Sequence, residues 1–272
     1  MSLKIGCQTY PWKMAGTYAG EIPHILETAS ASGFSGLEAE IGMLGTYYDR
    51  PEKLKKLLDE RQMSLAALVL HQDWEGTCQS KEEQERSSRA VAFLKHFPFA
   101  KLMMSHHAGD QPRGEGEALA RRRRNLVACM QEVAVRAAEE GIVSCFHPNS
   151  ASNSLFVNGE DYDVLFELLP STAIGWAPDV GHLVKGGIDA LGMMKNHRDL
   201  IRHVHFKDHG PRGEWTLMGK GTVNYPAIMR FLKETGYSGW IMVEDESETA
   251  AADPDEIVRL DGRYMRSLAD SI

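Results

Sequence analysis

The chain has 272 residues, of which 43% are hydrophobic and 25% charged, and its net charge is −8. A substantial core can form, while the acidic balance argues against broad electrostatic binding to nucleic acid or to an anionic membrane. No apolar run approaches the roughly 20 residues that span a bilayer, the N-terminus lacks a signal-peptide apolar region, and four scattered cysteines without a C-x-x-C pair fit reduced thiols in a cytoplasmic protein.

Residues 4–9 alternate and read as a first strand. Residues 21–32 then carry Ile22, Ile25, Leu26 and Ala29 at helical spacing, and Gly33 stops the helix. A second strand spans 35–40. Pro51 opens a helix with Leu54, Leu57 and Leu58 on one face. Residues 64–70 form a third strand that runs into His71 and Asp73, followed by a helix over 81–96. The fourth strand, 100–105, ends in His106 and His107, and a long helix covers 115–140. The fifth strand is 142–147, with a helix over 161–169 stopped by Pro170. The sixth is 172–177, followed by a helix over 189–199. The seventh is 201–206, followed by a helix over 225–235 with Pro226 in its first turn. The eighth is 239–243, followed by a helix over 254–269.

Eight strands alternating with helices, at a spacing of roughly 34 residues, argue for a parallel sheet closed into a single (β/α)8 TIM barrel domain over 1–272. An open doubly wound sheet is the runner-up. It lacks the G-x-G-x-x-G that would follow its first strand. In a barrel the site lies at the C-terminal strand ends, where this chain concentrates its polar residues. These are His71 and Asp73, His106 and His107, His147, Asp179 and His182, His205 and Lys207, and Glu244 and Glu246. Asp179, His205 and Glu244 come from three successive strands and suit an open catalytic site for a divalent cation such as Mn²⁺, Co²⁺, Zn²⁺ or Mg²⁺. Taken singly, each has a plain structural reading as a cap, a core histidine or a rim ion pair.

From 142 to 246 the sequence resembles the xylose isomerase-like TIM barrels of the sugar isomerase/epimerase superfamily. D-V-G-H at 179–182, H-V-H-F-K-D at 203–208, G-K-G-T-V-N-Y-P at 219–226 and G-W-I-M-V-E at 239–244 carry the resemblance. P-D-V-G-H followed by K-G-G is most similar to the inosose dehydratase and keto-sugar lyase branch. The resemblance implies a metal held by a Glu on strand five, an Asp on strand six, a His on strand seven and a Glu on strand eight. The last three fall on Asp179, His205 and Glu244. The first position holds Cys145 in S-C-F-H-P, which puts symmetrical two-base epimerisation in doubt. Residues 145 and 147 share a strand face, so His147 can take the fourth ligand place or act as acid or base. Cys145 itself reads as a small core residue.

The expected chemistry is metal-assisted enolisation of a keto-sugar or cyclitol with dehydration or β-elimination. His147 or His182 is expected to act as base or acid, with His147 also open as a ligand or a substrate hydrogen-bonder, Glu244 chiefly as a ligand, and Lys207 as a stabiliser of enolate charge or a partner of Asp208 or a rim carboxylate. Glu38, His71, His107 and Trp176 are candidates for substrate contact, although tryptophan also simply fills space. The alternatives are a ketose epimerase or aldose–ketose isomerase, an endonuclease IV-like nuclease, and a non-catalytic sugar-binding barrel. The nuclease would need more ligands and a basic groove. Arg121 to Arg124 wrap around their helix and read as a solvated or subunit-contact surface; Gly219 and Gly221 read as turn formers. A homo-oligomer is an expectation by analogy with the fold only.

Overall fold

The computed structural model describes residues 3–106 and 111–272. Its strands are β1 (Lys4–Gln8), β2 (Gly36–Glu40), β3 (Ser64–Gln72), β4 (Lys101–His106), β5 (Ser144–Phe146), β6 (Ile174–Trp176), β7 (Val204–Phe206) and β8 (Trp240–Val243). All eight stand where the alternation placed them. β5, β6 and β7 are shorter than expected, and β5 and β6 are each followed two residues later by a proline, Pro148 or Pro178, which has no N–H for the ladder. The last ladder bonds are His147 N–H to Met104 O and Ala177 N–H to Phe146 O, both 2.9 Å.

The helices are α1 (Tyr10–Ala15), α2 (Ile22–Ala31), α3 (Pro51–Glu60), α4 (Lys81–Leu94), α5 (Gly116–Glu139), α6 (Gly159–Leu168), α7 (Val180–Lys185), α8 (Ala190–Asn196), α9 (Tyr225–Glu234), α10 (Glu248–Ala252) and α11 (Pro254–Asp270). α1, α7 and α10 were not expected from periodicity, being too short to show one. Side-chain caps start two of them: Asp179 accepts the N–H of His182 and Ser247 that of Ala250. α4 and α6 open with full capping boxes, Ser80 with Glu83 and Asn158 with Asp161.

The sheet order is β6-β5-β4-β3-β2-β1-β8-β7. The chain forms two compact units, Met1–Ala67 with His203–Ile272, and Leu68–Arg202; β3 passes from one to the other. In the first, β1 pairs in parallel with β2 and β8, and β8 with β7, in the register Cys7↔Leu37, Cys7↔Val243 and Met242↔His205. Gly36 is required there, because a Cβ would stand 2.5 Å from the ring of Trp240. In the second, β5 pairs in parallel with β4 and β6, Cys145 facing Met103 and Gly175. Its core is built from Leu102, Leu126, Met130, Val133, Leu165 and Trp176, all at most 1% exposed. Among the described residues no helix is long and apolar enough to cross a membrane.

Candidate active site

In the first unit, β7 places His203, His205 and Lys207 two residues apart, hence on one strand face. All three are buried, at no more than 2% exposure. His205 Nδ1 lies 3.0 Å from Glu244 Oε2, just past the end of β8. Its Nε2 lies 3.0 Å from one oxygen of Glu38 and 3.2 Å from the other, with hydrogen-bond geometry to the second. His203 Nε2 meets that second oxygen at 2.8 Å. Burial by itself would depress the His205 imidazolium, but the charge of Glu38 and bonds to Glu244 and Glu38 outweigh it and push its pKa up to about 10. Burial would likewise raise Glu38, yet the two histidines hold it far below the usual carboxylate range. Two buried carboxylates around one imidazole thus demand a positive charge.

Lys207 donates to Glu246 Oε1 at 2.6 Å, lies 3.5 Å from Glu244 Oε2, and stands over the Trp215 ring at 5.3 Å. Of the two partners read from the sequence, the rim carboxylate is correct. Asp208 instead accepts the N–H groups of Gly219 and Gly221 at 2.8 and 2.9 Å, which makes the glycines of that loop turn formers as expected. A Cβ on Gly221 would stand 2.1 Å from Asp208 Oδ1.

In the second unit, Asp179 is fully buried at the N-cap of α7. Its Oδ1 accepts the N–H of His182 at 2.9 Å, and its Oδ2 lies 3.3 Å from His147 Nε2. His182 Nδ1 receives the backbone N–H of Ser150 at 3.2 Å and lies 2.8 Å from the Ser150 hydroxyl. A main-chain N–H only donates, so Nδ1 carries the lone pair and the proton of neutral His182 resides on Nε2. That Nε2 is 3.9 Å from Asp179 Oδ2. His106 and His147 line one small cleft with Asn149, Ser154 and Phe156. Cys145 is a fully buried strand residue, as its core reading required.

Of the substrate-contact candidates, two are enclosed and one is exposed. Glu38 is fully buried and its carboxylate is engaged by two histidines. Trp176 is fully buried against Phe166, with ring centroids 4.9 Å apart, and fills the core. His71 is exposed, while its neighbour Gln72 points inward and donates to Glu83 O. His107 lies outside the described residues. Sequence reasoning missed Ser150 and the roles of Glu38 and Glu246. It also missed Tyr10, whose phenol burial, with Glu246 and Glu244, pushes up to about 12. Of the arginine run, Arg122 pairs with Glu75 and Arg124 with Glu117, whereas Arg123 departs from the solvated reading, being buried against Asp161 and donating to Leu155 O.

The donor set suits a divalent cation. His147, Asp179, His205 and Glu244 are all buried, and each offers one ligand atom. Ligands about 2.1 Å from one ion and roughly 90–110° apart stand about 3.0–3.4 Å from each other. Within each unit the candidate pair meets that spacing, His205 with Glu244 at 3.0 Å and His147 with Asp179 at 3.3 Å.

The xylose isomerase-like TIM barrel family matches residues 26–268. An inosose dehydratase of Lacticaseibacillus casei is 24% identical over 277 residues, covering 88% of this chain and 87% of that one. The structure of the probable 3-DHS dehydratase AsbF of Bacillus anthracis superposes with a TM-score of 0.78 at 14% identity, over 97% of this chain and 99% of that one. That of the IolI protein, with a bound zinc atom, gives 0.79 at 13% identity, over 99% of both chains. These superpositions establish the (β/α)8 fold over the open doubly wound alternative.

Proposed function

The chain belongs to the xylose isomerase-like TIM barrel family, and from that premise we propose that it is a divalent-metal-dependent lyase that removes water from a cyclitol ketone or keto-sugar. The curated relatives support the lyase reading, since the inosose dehydratases match along most of both chains. The observation that carries the chemistry is the backbone N–H of Ser150 on His182 Nδ1, which leaves Nε2 as the nitrogen that bears the proton. An elimination needs such a donor for the departing hydroxyl.

Asp179, His205 and Glu244 would hold the cation, and His147 would offer a fourth ligand or a base. When bound, the cation supplies the positive charge that acidifies a C–H beside a carbonyl. His147, oriented through Nε2 by Asp179, takes the proton from carbon. His182 gives its Nε2 proton to the β-hydroxyl, which leaves as water, and the C–H electron pair becomes the new C=C bond conjugated to the carbonyl. Lys207, held by Glu246, stands beside Glu244 with its charge available to the enolate oxygen. Epimerisation would need an acid or base on each face of the carbon. Cys145 stands where the second family carboxylate would, and burial leaves it a core residue.

The test is incubation of the metal-reconstituted protein with inososes and 3-keto-sugars, read by ultraviolet absorbance of the enone and by deuterium exchange at carbon. Water loss that chelation abolishes supports the lyase. Exchange with inversion and no enone would make it an epimerase. Sugar binding with neither change would make it a non-catalytic binder. A His147→Gln variant that keeps its metal but loses exchange assigns His147 as base; one that loses metal assigns it as ligand.

A further inference from the structure

Glu38 has no place in that chemistry, yet it is among the most completely buried charged groups in the protein. It sits on β2, separated from β7 by β1 and β8 in the sheet order. Its carboxylate nevertheless meets two imidazoles of β7 at once, because His203 and His205 are two residues apart and share a strand face. The two nitrogens of His205 therefore face different carboxylates: Nε2 faces Glu38, and Nδ1 faces Glu244. A neutral imidazole has one N–H and one lone pair, and a carboxylate accepting from one nitrogen fixes which is which. A ligating histidine commonly donates its other N–H to a carboxylate, which fixes the ring and raises its basicity.

We propose that Glu38 is a positioning residue for His205. It holds the Nε2–H, so that Nδ1 presents its lone pair on the side of Glu244, and His203 is the strut that holds Glu38 from its other side. The inference rests on the metal-site reading above and adds to it which nitrogen ligates and what selects it. The competing arrangement is a cation held by Glu38, His203 and His205 themselves, whose ligand atoms also lie within 4.8 Å of one another. It would require Nε2 of both histidines to be bare and would leave Nδ1 of His205 to donate to Glu244, so the nitrogen that carries the proton in the loaded protein separates the two arrangements.

Three measurements on the full chain test this. The first is long-range proton–nitrogen correlation on ¹⁵N-histidine protein loaded with Zn²⁺, with His205 assigned by its loss in His205→Gln. The expected result is metal on Nδ1 and a proton on Nε2; metal on Nε2 overturns the proposal. The second is Zn²⁺ affinity by competition with a chromophoric chelator. Glu38→Gln is expected to raise the dissociation constant roughly 10–100-fold, and His203→Gln, which leaves the carboxylate in place, to raise it less. The ligand-field spectrum of bound Co²⁺ should change in Glu38→Gln, which mere loosening of the fold would not produce. If Glu38→Gln does not fold, the His203→Gln titration and the wild-type nitrogen assignment still decide. An affinity within twofold of wild type in the folded Glu38 variant overturns the role. The underlying metal reading fails differently, through wild-type protein that takes up no Zn²⁺ or takes up as much in Asp179→Asn, and the proposal then falls with it.

Discussion

In the first unit the polar side chains hold one another. Glu38 takes His203 and His205, Glu244 takes His205, and Glu246 takes Lys207, each at a buried or nearly buried position. In the second unit the main chain does that task. Asp179 is fixed by the N–H of His182, and His182 by the N–H of Ser150. A carboxylate held by charges cannot be neutralised without leaving a buried charge uncompensated. One held by backbone N–H groups can be replaced by a neutral acceptor of the same shape with its cap intact. Ligand loss and fold loss should therefore separate in the second unit and coincide in the first.

The largest effect is expected from the ligand carboxylates. Asp179→Asn keeps an N-cap as good as the original, since Asn and Asp rank together there. It should lose its metal and lower kcat/KM by roughly 10³-fold or more, the scale of several kcal/mol of charge stabilisation, while the metal-free protein melts as wild type does. Glu244→Gln should lose as much activity and in addition about 1–3 kcal/mol of folding stability, because His205 and Lys207 lose a buried partner. Paired assays of activity and metal-free denaturation check this; equal stability loss in both variants would erase the contrast.

The second unit also contains a buried charge-held carboxylate, and it tests whether the rule follows the chemistry or the unit. Asp161 accepts from Arg113, Arg123 and the N–H groups of Val157 and Asn158. Burial would raise its pKa, but those donors together hold it below the usual carboxylate value. A depressed carboxylate contributes stability above its unfolded pKa of about 3.9, and the contribution is lost as pH falls through the lower folded value. Asp161→Asn should cost about 3 kcal/mol at neutral pH and remove the steep part of the stability profile below about pH 4. Urea denaturation across pH measures both. A neutral-pH loss under 1 kcal/mol would mean that the backbone donors dominate here too.

Trp176→Phe probes a substrate-contact candidate that the structure buries in the core. The ring is fully buried, and its Nε1 has no hydrogen-bond partner. The variant loses packing against Phe166 but also sheds an unsatisfied N–H, so a net loss of about 1 kcal/mol is expected, with KM unchanged. A raised KM at full stability would return Trp176 to the substrate surface.

The fold was legible because strands and helices alternate cleanly and because the period of two in H-V-H-F-K shows one strand face directly. Asp179, His205 and Glu244 were legible as polar endings of apolar runs. Glu38 was seen without its partners, which lie more than 160 residues away in sequence, and nothing local distinguishes a carboxylate aimed at a substrate from one clamped by two histidines. The inward side chain at the end of β3 is that of Gln72, because adjacent strand residues point to opposite sides and the frame there could not be fixed from composition alone. Ser150 lies in a loop without periodicity, and its contact with His182 spans 32 residues.

That contact gives the finest test of the comparison. Ser150→Ala removes the hydroxyl near His182 Nδ1 but leaves the backbone N–H that sets the tautomer. One neutral hydrogen bond is worth about 1 kcal/mol, so kcat should fall roughly fivefold, with KM, metal content and melting temperature unchanged. The size of the loss divides the task between the two donors. A hundredfold loss would mean that the hydroxyl selects the tautomer, and the second unit would then depend on side chains as the first does. A loss within twofold would give the selection entirely to the main chain. In that case His182→Gln, which offers an acceptor to the same N–H and a donor on the far side of the amide, should retain more activity than His182→Ala, because the fixed N–H orients whichever group replaces the ring.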